Sequence, residues 1–171
     1  RMRGLHVVSN DVSISRLLPL RAAHARIFGA AARLTVSDGR RAPFRGGFDS
    51  ILLDAPCSAT GTIRKNPEVK WRVDESSFGA FATLQRELLT GALDLAPAEC
   101  IYATCSLEHE ENEDVVRQVL ERHDDYELFD LAESAPPAVR AWTADGTLRL
   151  TPESGTDGFT VFGMRRRAKS A

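Results

Sequence analysis

Cysteine is scarce in this chain: three in 171 residues, an odd number. That excludes a disulfide-stapled secreted scaffold and suits a reducing cytosol. Long apolar runs are missing too, since none approaches the roughly 18 residues that cross a bilayer. The opening residues, Arg1-Met2-Arg3-Gly4, lead into an apolar stretch without a signal-peptide pattern. Aromatics are few, at 7%, yet 43% of residues are hydrophobic and 27% charged, which excludes a disordered chain and a collagen-like repeat. No internal repeat or low-complexity segment occurs. A chain of this length is expected to form one domain, burying roughly 70% of its unfolded surface. The sequence predicts a single cytoplasmic globular unit, residues 1–171, with no membrane partner.

The charge is lopsided beneath a formal net of −2. Residues 1–72 carry 13 Lys and Arg against 5 Asp and Glu, and the remainder carry 9 against 19. A basic half can supply a phosphate-binding face at an overall pI near 6. The bland alternative is a scatter of solvated surface charge.

Short apolar runs at 5–8, 34–36, 48–53 and 100–103 read as strands, with closing strands at 126–129 and 159–164. Helical spacing appears at Ile14, Leu17, Leu18, Ala22, Ala25 and Ile27. Ser13 is placed to cap that segment, Gly29 to stop it and Pro19 to delay or kink it. A second helix spans 76–95, with Phe81, Leu84, Leu88, Leu89, Ala92 and Leu95 on one stripe. A third, acidic one spans 110–123 with Val115, Val116, Val119 and Leu120 inward. The Pro-rich stretch 132–146 is expected to be an irregular, mobile loop. Strands alternating with helices predict an α/β fold, a mainly parallel sheet with helices on both faces.

In such sheets ligands bind beyond the carboxyl ends of the strands, and Asp11, Asp38, Asp54 and Cys105 sit at four such ends. Asp also favours turns and caps, which is an equal reading for any one of the aspartates taken alone. The densest signal is DAPCSATGTIRKNPEVKW, from Asp54 to Trp71. The second is YATCSL, from Tyr102, followed by Glu110-Glu111-Asn112-Glu113. Each puts a cysteine just past a buried strand, in loops that neighbouring parallel strands bring together. Cys100, inside its strand, reads as a small core residue. No metal is expected, because Cys57, Cys100, Cys105 and His109 lack the pairwise spacing of zinc ligands. A disulfide between Cys57 and Cys105 is conceivable on geometry but not expected in cytosol.

Those two motifs, with the terminal GTDGFTVFGMRR, resemble the RNA cytosine-5 methyltransferases of the Sun/RsmB and nucleolar-protein group. The likeness covers essentially the whole chain and is closest to the bacterial small-subunit rRNA enzymes. Ala59 stands where the family commonly has glycine, and Ala98-Glu99 where it commonly has Gly-Gly. The resemblance implies a Rossmann-like class I methyltransferase fold, S-adenosylmethionine as cofactor and RNA, chiefly rRNA, as partner. The target base would be unstacked into the pocket.

Cytosine C5 needs a thiolate added at C6 before it can attack a sulfonium methyl, and a base must then remove the C5 proton. The resemblance makes Cys105 the nucleophile, Cys57 the residue assisting elimination and Asp54 a contact to the base. In DNA cytosine methyltransferases the PC cysteine is the nucleophile, so chemistry alone ranks neither thiol. By the same resemblance Asp11 binds the donor's ribose and Asp38 its adenine amine, with Asp54 and Pro56 beside the donor. Arg64, Lys65, Lys70 and Arg72 are candidate RNA-phosphate contacts, with Trp71 available to stack and surface solubility as their bland alternative. Asp157-Gly158-Phe159 is expected to support the pocket floor.

One family feature is absent from these residues. The Gly-rich donor loop, AAPGGKT in pattern, and the central strand before it have no counterpart, which would leave the sheet open in its middle. With Arg1 at the start, this predicts an N-terminally incomplete catalytic domain whose missing strand and loop come from another polypeptide segment. Two alternatives remain: a non-catalytic RNA-binding or ribosome-assembly protein, or a structural partner completing another chain's sheet.

Overall fold

The structure is a computed structural model, described over residues 6–168. It divides into two compact units, the first ending at Phe44 and the second beginning at Arg45.

The first unit is a strand–helix–strand crossover. Strand β1 (Val8–Asp11) and strand β2 (Arg33–Val36) pair in parallel, Asp11 opposite Val36, and helix α1 (Ile14–Phe28) joins them. The expected first strand thus lies three residues later, and Leu5 falls outside the described residues. Gly29 ends α1 in a left-handed conformation (φ 65°), its N–H closing on the carbonyl of Ala25. Pro19 sits inside the helix, which starts on time at Ile14. Ser13 makes no side-chain cap bond; its backbone N–H donates instead to Asp11 Oδ1 at 2.7 Å. The helical spacing expected there is borne out, and within α1 Leu17 is buried while Ile14, Leu18 and Ile27 are more than half exposed. Two strands offer too little surface to cover a helix of 15 residues.

In the second unit the elements run β3 (Ser50–Asp54), α2 (Val69–Arg72), α3 (Glu75–Asp94), β4 (Glu99–Thr104), α4 (Glu113–Leu120), β5 (Tyr126–Leu128), α5 (Pro137–Arg140), β6 (Thr143–Ala144), β7 (Thr147–Leu150) and β8 (Phe159–Arg166). The sheet order is β3-β4-β8-β7-β6, with β5 also on β8. Here the expectation of a mainly parallel sheet needs correction: the α/β class stands, but the sheet is mixed. Only β3 and β4 pair in parallel in this unit; β8 runs antiparallel to β4, β5 and β7. The cause is the return path, which doubles back through β5 and the β6–β7 hairpin before laying β8 against β4.

The segment expected to be an irregular loop contains a 3₁₀ turn (Leu131–Glu133), α5 and β6. Asp145 and Gly146 turn the chain from β6 to β7 with φ values of 50° and 76°, the left-handed pair that a two-residue hairpin requires. The acidic helix expected over 110–123 is also shorter. A 3₁₀ turn (His109–Glu111) and an irregular Asn112 precede α4. Asn112 is drawn inward, donating to the carbonyls of Ser106 and Glu108 and accepting from Thr104 Oγ1.

Asp74 and Ser77 form a capping box at the start of α3. That helix packs Leu89, Ala92 and Leu93 into a core with Val115, Val116 and Val119 of α4, Cys100 and Tyr102 of β4, and Phe162 and Met164 of β8. This core fixes the carboxyl ends of β3 and β4, from which the site grows.

Candidate active site

β3 and β4 run side by side to Asp54 and Thr104, and the Ala55 N–H donates to the Ala103 carbonyl at 2.9 Å, prolonging the pairing past β3. Both motif loops therefore leave the sheet at one level. They are then laced together. Gly61 N–H donates to the Cys105 carbonyl at 3.0 Å, Gly158 N–H to the Gly61 carbonyl at 2.7 Å, and Leu107 N–H to Thr60 Oγ1 at 3.2 Å. A Cβ on Gly61 would lie 2.6 Å from the Gly158 carbonyl and 2.8 Å from that of Cys105, so the approach needs glycine. Gly158 thus supports the site as the DGF motif suggested.

This lacing brings the Sγ atoms of Cys57 and Cys105 to 3.1 Å, both as free thiols. Cys57 lies deeper. The hydrogen bond from Cys57 pulls the Cys105 thiol down from its ordinary value to about 7, while the Asp54 and Glu111 carboxylates push the other way. Donating that bond, together with burial, drives the Cys57 thiol far up. The contact thus favours the thiolate on Cys105 and the proton on Cys57. Cys100 is fully buried, as expected of a core residue, and burial pushes its thiol up to about 12.

Behind the loops lies a buried carboxylate. Glu111 is 0% exposed and accepts from Ser58 N–H (2.9 Å), Gln85 Nε2 (2.8 Å) and Ser106 Oγ (2.8 Å). Gln85, also 0% exposed, donates as well to the Pro56 carbonyl at 2.8 Å. In the sequence Glu111 reads as part of an acidic run and Gln85 as part of an LQ..LL..A helix pattern, and neither carries an expected role in the site. A signal existed: Gln85 lies four residues from both Phe81 and Leu89, a polar residue on the apolar stripe of α3.

Comparison with known proteins places this arrangement. A sequence family described as 16S rRNA methyltransferase RsmB/F matches residues 3–165. The chain belongs to that family. It is 37% identical over 166 residues to the ribosomal RNA small subunit methyltransferase F of Serratia proteamaculans, covering 94% of this chain and 35% of that protein. It is 34% identical over 124 residues to the probable ribosomal RNA small subunit methyltransferase B of Bacillus subtilis, covering 70% and 28%. Among solved structures it resembles NSun6 from Pyrococcus horikoshii with SFG, at 25% identity and a TM-score of 0.78, over 94% of this chain and 41% of that one. A methyltransferase homologue from the same organism matches at 28% identity and a TM-score of 0.74, over 94% and 53%. The chain spans about a third of the length of these curated relatives.

Of the residues expected in an RsmB/F site, the second unit holds Asp54, Pro56, Cys57 and Cys105 at the paired strand ends. Asp54 is exposed at the end of β3 and Pro56 is exposed beside it. Arg64, Lys65, Lys70 and Arg72 follow on the same segment, all exposed. Arg64 reaches back to Asp157 (3.7 Å) and the Gly155 carbonyl. Trp71 is 81% exposed, with Lys70 Nζ 5.0 Å above its ring.

Asp11 and Asp38 belong to the first unit, at the ends of β1 and β2. Each is gripped by an arginine near it in sequence. Arg16 binds Asp11 through Nε and Nη2 and lowers its carboxyl; Arg40 binds Asp38 likewise and holds its carboxyl at about 2. Both stay ionised and accept only, which fits a partner offering hydroxyl or amine donors. Asp11 Oδ2 receives Arg16 Nε alone and keeps acceptor capacity. Among the described residues no group of three or more His, Cys, Asp or Glu is placed to hold a metal. No described helix is long and apolar enough to cross a membrane.

Proposed function

We propose that this chain carries the reaction centre of an S-adenosylmethionine-dependent RNA cytosine-5 methyltransferase acting on rRNA in the cytoplasm. The observation that carries this reading is the 3.1 Å contact between Cys57 and Cys105 at the ends of two paired parallel strands. Family membership supports it, as does the relative solved with SFG, an analogue of that donor.

Cys105 is the nucleophile by its place in the TC motif, and a hydrogen bond from Cys57 favours its thiolate. Its thiolate adds to cytosine C6, forming the S–C6 bond, and the displaced ring electrons collect at C5 and N3. Asp54, exposed at the end of β3, contacts the base at N3 and its amine. The donor, when bound, would supply an electrophilic sulfonium methyl, C5 giving both electrons of the new C–C bond while those of the broken S–CH3 bond stay on the donor's sulfur as a neutral thioether. A base then removes the C5 proton, the S–C6 bond breaks and its electrons return to Cys105. Cys57, hydrogen-bonded to that sulfur, steadies the departing thiolate and so assists elimination.

Asp11 and Asp38 of the first unit hold the adenosine part of the donor, accepting from ribose hydroxyls and the adenine amine. The Gly-rich motif that would face the donor's amino-acid end is not among these residues, and the test below includes it. Arg64, Lys65, Lys70 and Arg72 hold RNA phosphates, and Trp71 stacks on a base. The basic balance of residues 1–72 suits that part.

The test is methyl transfer from radiolabelled S-adenosylmethionine to unmodified rRNA, with a segment carrying the Gly-rich motif present. Incorporation at cytosine C5 is expected, and none with Cys105→Ala. A non-catalytic RNA-binding or ribosome-assembly protein is the alternative outcome of the same test. Binding of RNA without any binding of S-adenosylmethionine, with that segment supplied, would establish it.

A further inference from the structure

A fully buried carboxylate is costly unless each oxygen is satisfied, and three buried polar residues around one add to that cost. Here the cost is visible in Gln85, whose Oε1 has no hydrogen-bond partner although buried. Leaving such an acceptor bare forfeits its hydration with nothing in return. A leucine or methionine would fill the stripe of α3 more cheaply. The orientation of Gln85 is fixed by its two donated bonds, to Pro56 and to Glu111. Both serve the loop that carries Cys57.

The Glu111 bonds divide between the two cysteine loops. Oε2 accepts from Ser58, the neighbour of Cys57; Oε1 accepts from Ser106, the neighbour of Cys105. One carboxylate therefore joins loops 48 residues apart, one residue beyond each thiol. Tyr102 on β4 anchors the base of the bridge, donating from its hydroxyl to the Glu111 carbonyl at 2.6 Å. We propose that Glu111 is a positioning residue: its carboxylate holds the two loops at the separation at which Cys57 and Cys105 touch. The inference deepens the methyltransferase reading above and rests on it for its consequence in catalysis.

Charge and position make opposite predictions for Cys105, and that decides the experiment. The titratable groups facing the Cys105 thiol are Cys57, which stabilises its thiolate, and the Asp54 and Glu111 carboxylates, which oppose it. If Glu111 acted only through charge, Glu111→Gln would lower the Cys105 midpoint. If it positions the loops, the same change raises it, because the bond from Cys57 is lost. Glutamine cannot replace the bridge. Its amide would face Ser106 Oγ, which already accepts from Ser58 Oγ (3.2 Å) and Glu108 N–H (3.2 Å).

The experiment is the pH dependence of Cys105 alkylation by iodoacetamide, followed by peptide mass spectrometry in the purified protein. Thermal unfolding is recorded alongside. Glu111→Gln is expected to move the midpoint up by about one pH unit or more, towards the ordinary thiol value. Glu111→Asp keeps the charge but is too short to span both loops, and is expected to move it up as well. An unchanged or lowered midpoint in a folded Glu111→Gln protein would overturn the proposal. If that variant fails to fold, Ser106→Ala, which cuts the bridge on one side, gives the same reading: a rise supports positioning, and no rise overturns it. Neither RNA nor methyl donor is needed. Failure of the unaltered protein to transfer methyl would count against the function and leave the bridge standing, and a shifted midpoint with intact methyl transfer by Cys105→Ala would retain the bridge while removing its catalytic role.

Discussion

Cys57 and Cys105 stand 48 residues apart in sequence and 3.1 Å apart at sulfur. Nothing covalent joins them. Their closeness follows from parallel pairing of β3 with β4, from the Gly61–Gly158 contact and from the carboxylate of Glu111 between the loops. The contact also treats the two thiols unequally, drawing that of Cys105 down and pushing that of Cys57 up.

Removing the Cys57 thiol tests that division. Losing a donor to a thiolate destabilises the charged form, so Cys57→Ala is expected to raise the alkylation midpoint of Cys105 from about 7 towards its ordinary value. At pH 7 the variant should react several-fold more slowly with iodoacetamide. An unchanged midpoint would show that the contact does not tune Cys105.

The glycine contact is a packing requirement. Gly61→Ala places a methyl 2.6 Å from a backbone oxygen that cannot yield as a side-chain tip would. A loss of about 1–3 kcal/mol is expected, read as a lower denaturant midpoint with an unchanged slope. Gly158→Ala, whose Cβ would lie 2.8 Å from Gly61 Cα and 2.9 Å from Leu107, should cost a similar amount.

Ala59 offers the opposite case. It sits at φ 64°, ψ 24°, in the left-handed region where a Cβ is penalised. Ala59→Gly is expected to stabilise the protein by about 1 kcal/mol in chemical denaturation, after the extra entropy of glycine in the unfolded chain is deducted. The same geometry accounts for the glycine that the family commonly has there.

Trp71 supports no core, being 81% exposed. Trp71→Ala should leave the unfolding temperature unchanged and weaken RNA binding by roughly tenfold, the scale of about 1–3 kcal/mol for one stacked base. Lys65→Ala should flatten the salt dependence of RNA affinity by about one counterion. Equal RNA affinity in both variants would remove this face from the interface.

Much of this was legible from residue patterns. The runs that became β2, β3, β4, β5 and β8 are short, apolar and bounded by polar residues, and the loops after β3 and β4 had to be neighbours if those strands were. The direction of β8 was not legible, because a buried strand reads the same whichever way it runs. The β6–β7 hairpin was missed although Asp145-Gly146 is a strong two-residue turn signal; the prolines before it suggested irregular chain instead. Glu111 was hidden for a different reason. In a run of Glu110-Glu111-Asn112-Glu113, periodicity predicts a solvated acidic face. Only the inward turn of Asn112 and the position of Gln85 on another helix bury one of those carboxylates.

The central claim is that Cys105 attacks the base. The most direct measurement uses rRNA substituted with 5-fluorocytidine, whose C5 fluorine cannot leave as a proton does, so the covalent adduct persists. With S-adenosylmethionine and the Gly-rich segment supplied, the protein should form a denaturation-resistant RNA complex. Mass spectrometry should then place the nucleotide on Cys105. An adduct on Cys57 instead would contradict the account, as would undiminished adduct formation by Cys105→Ala.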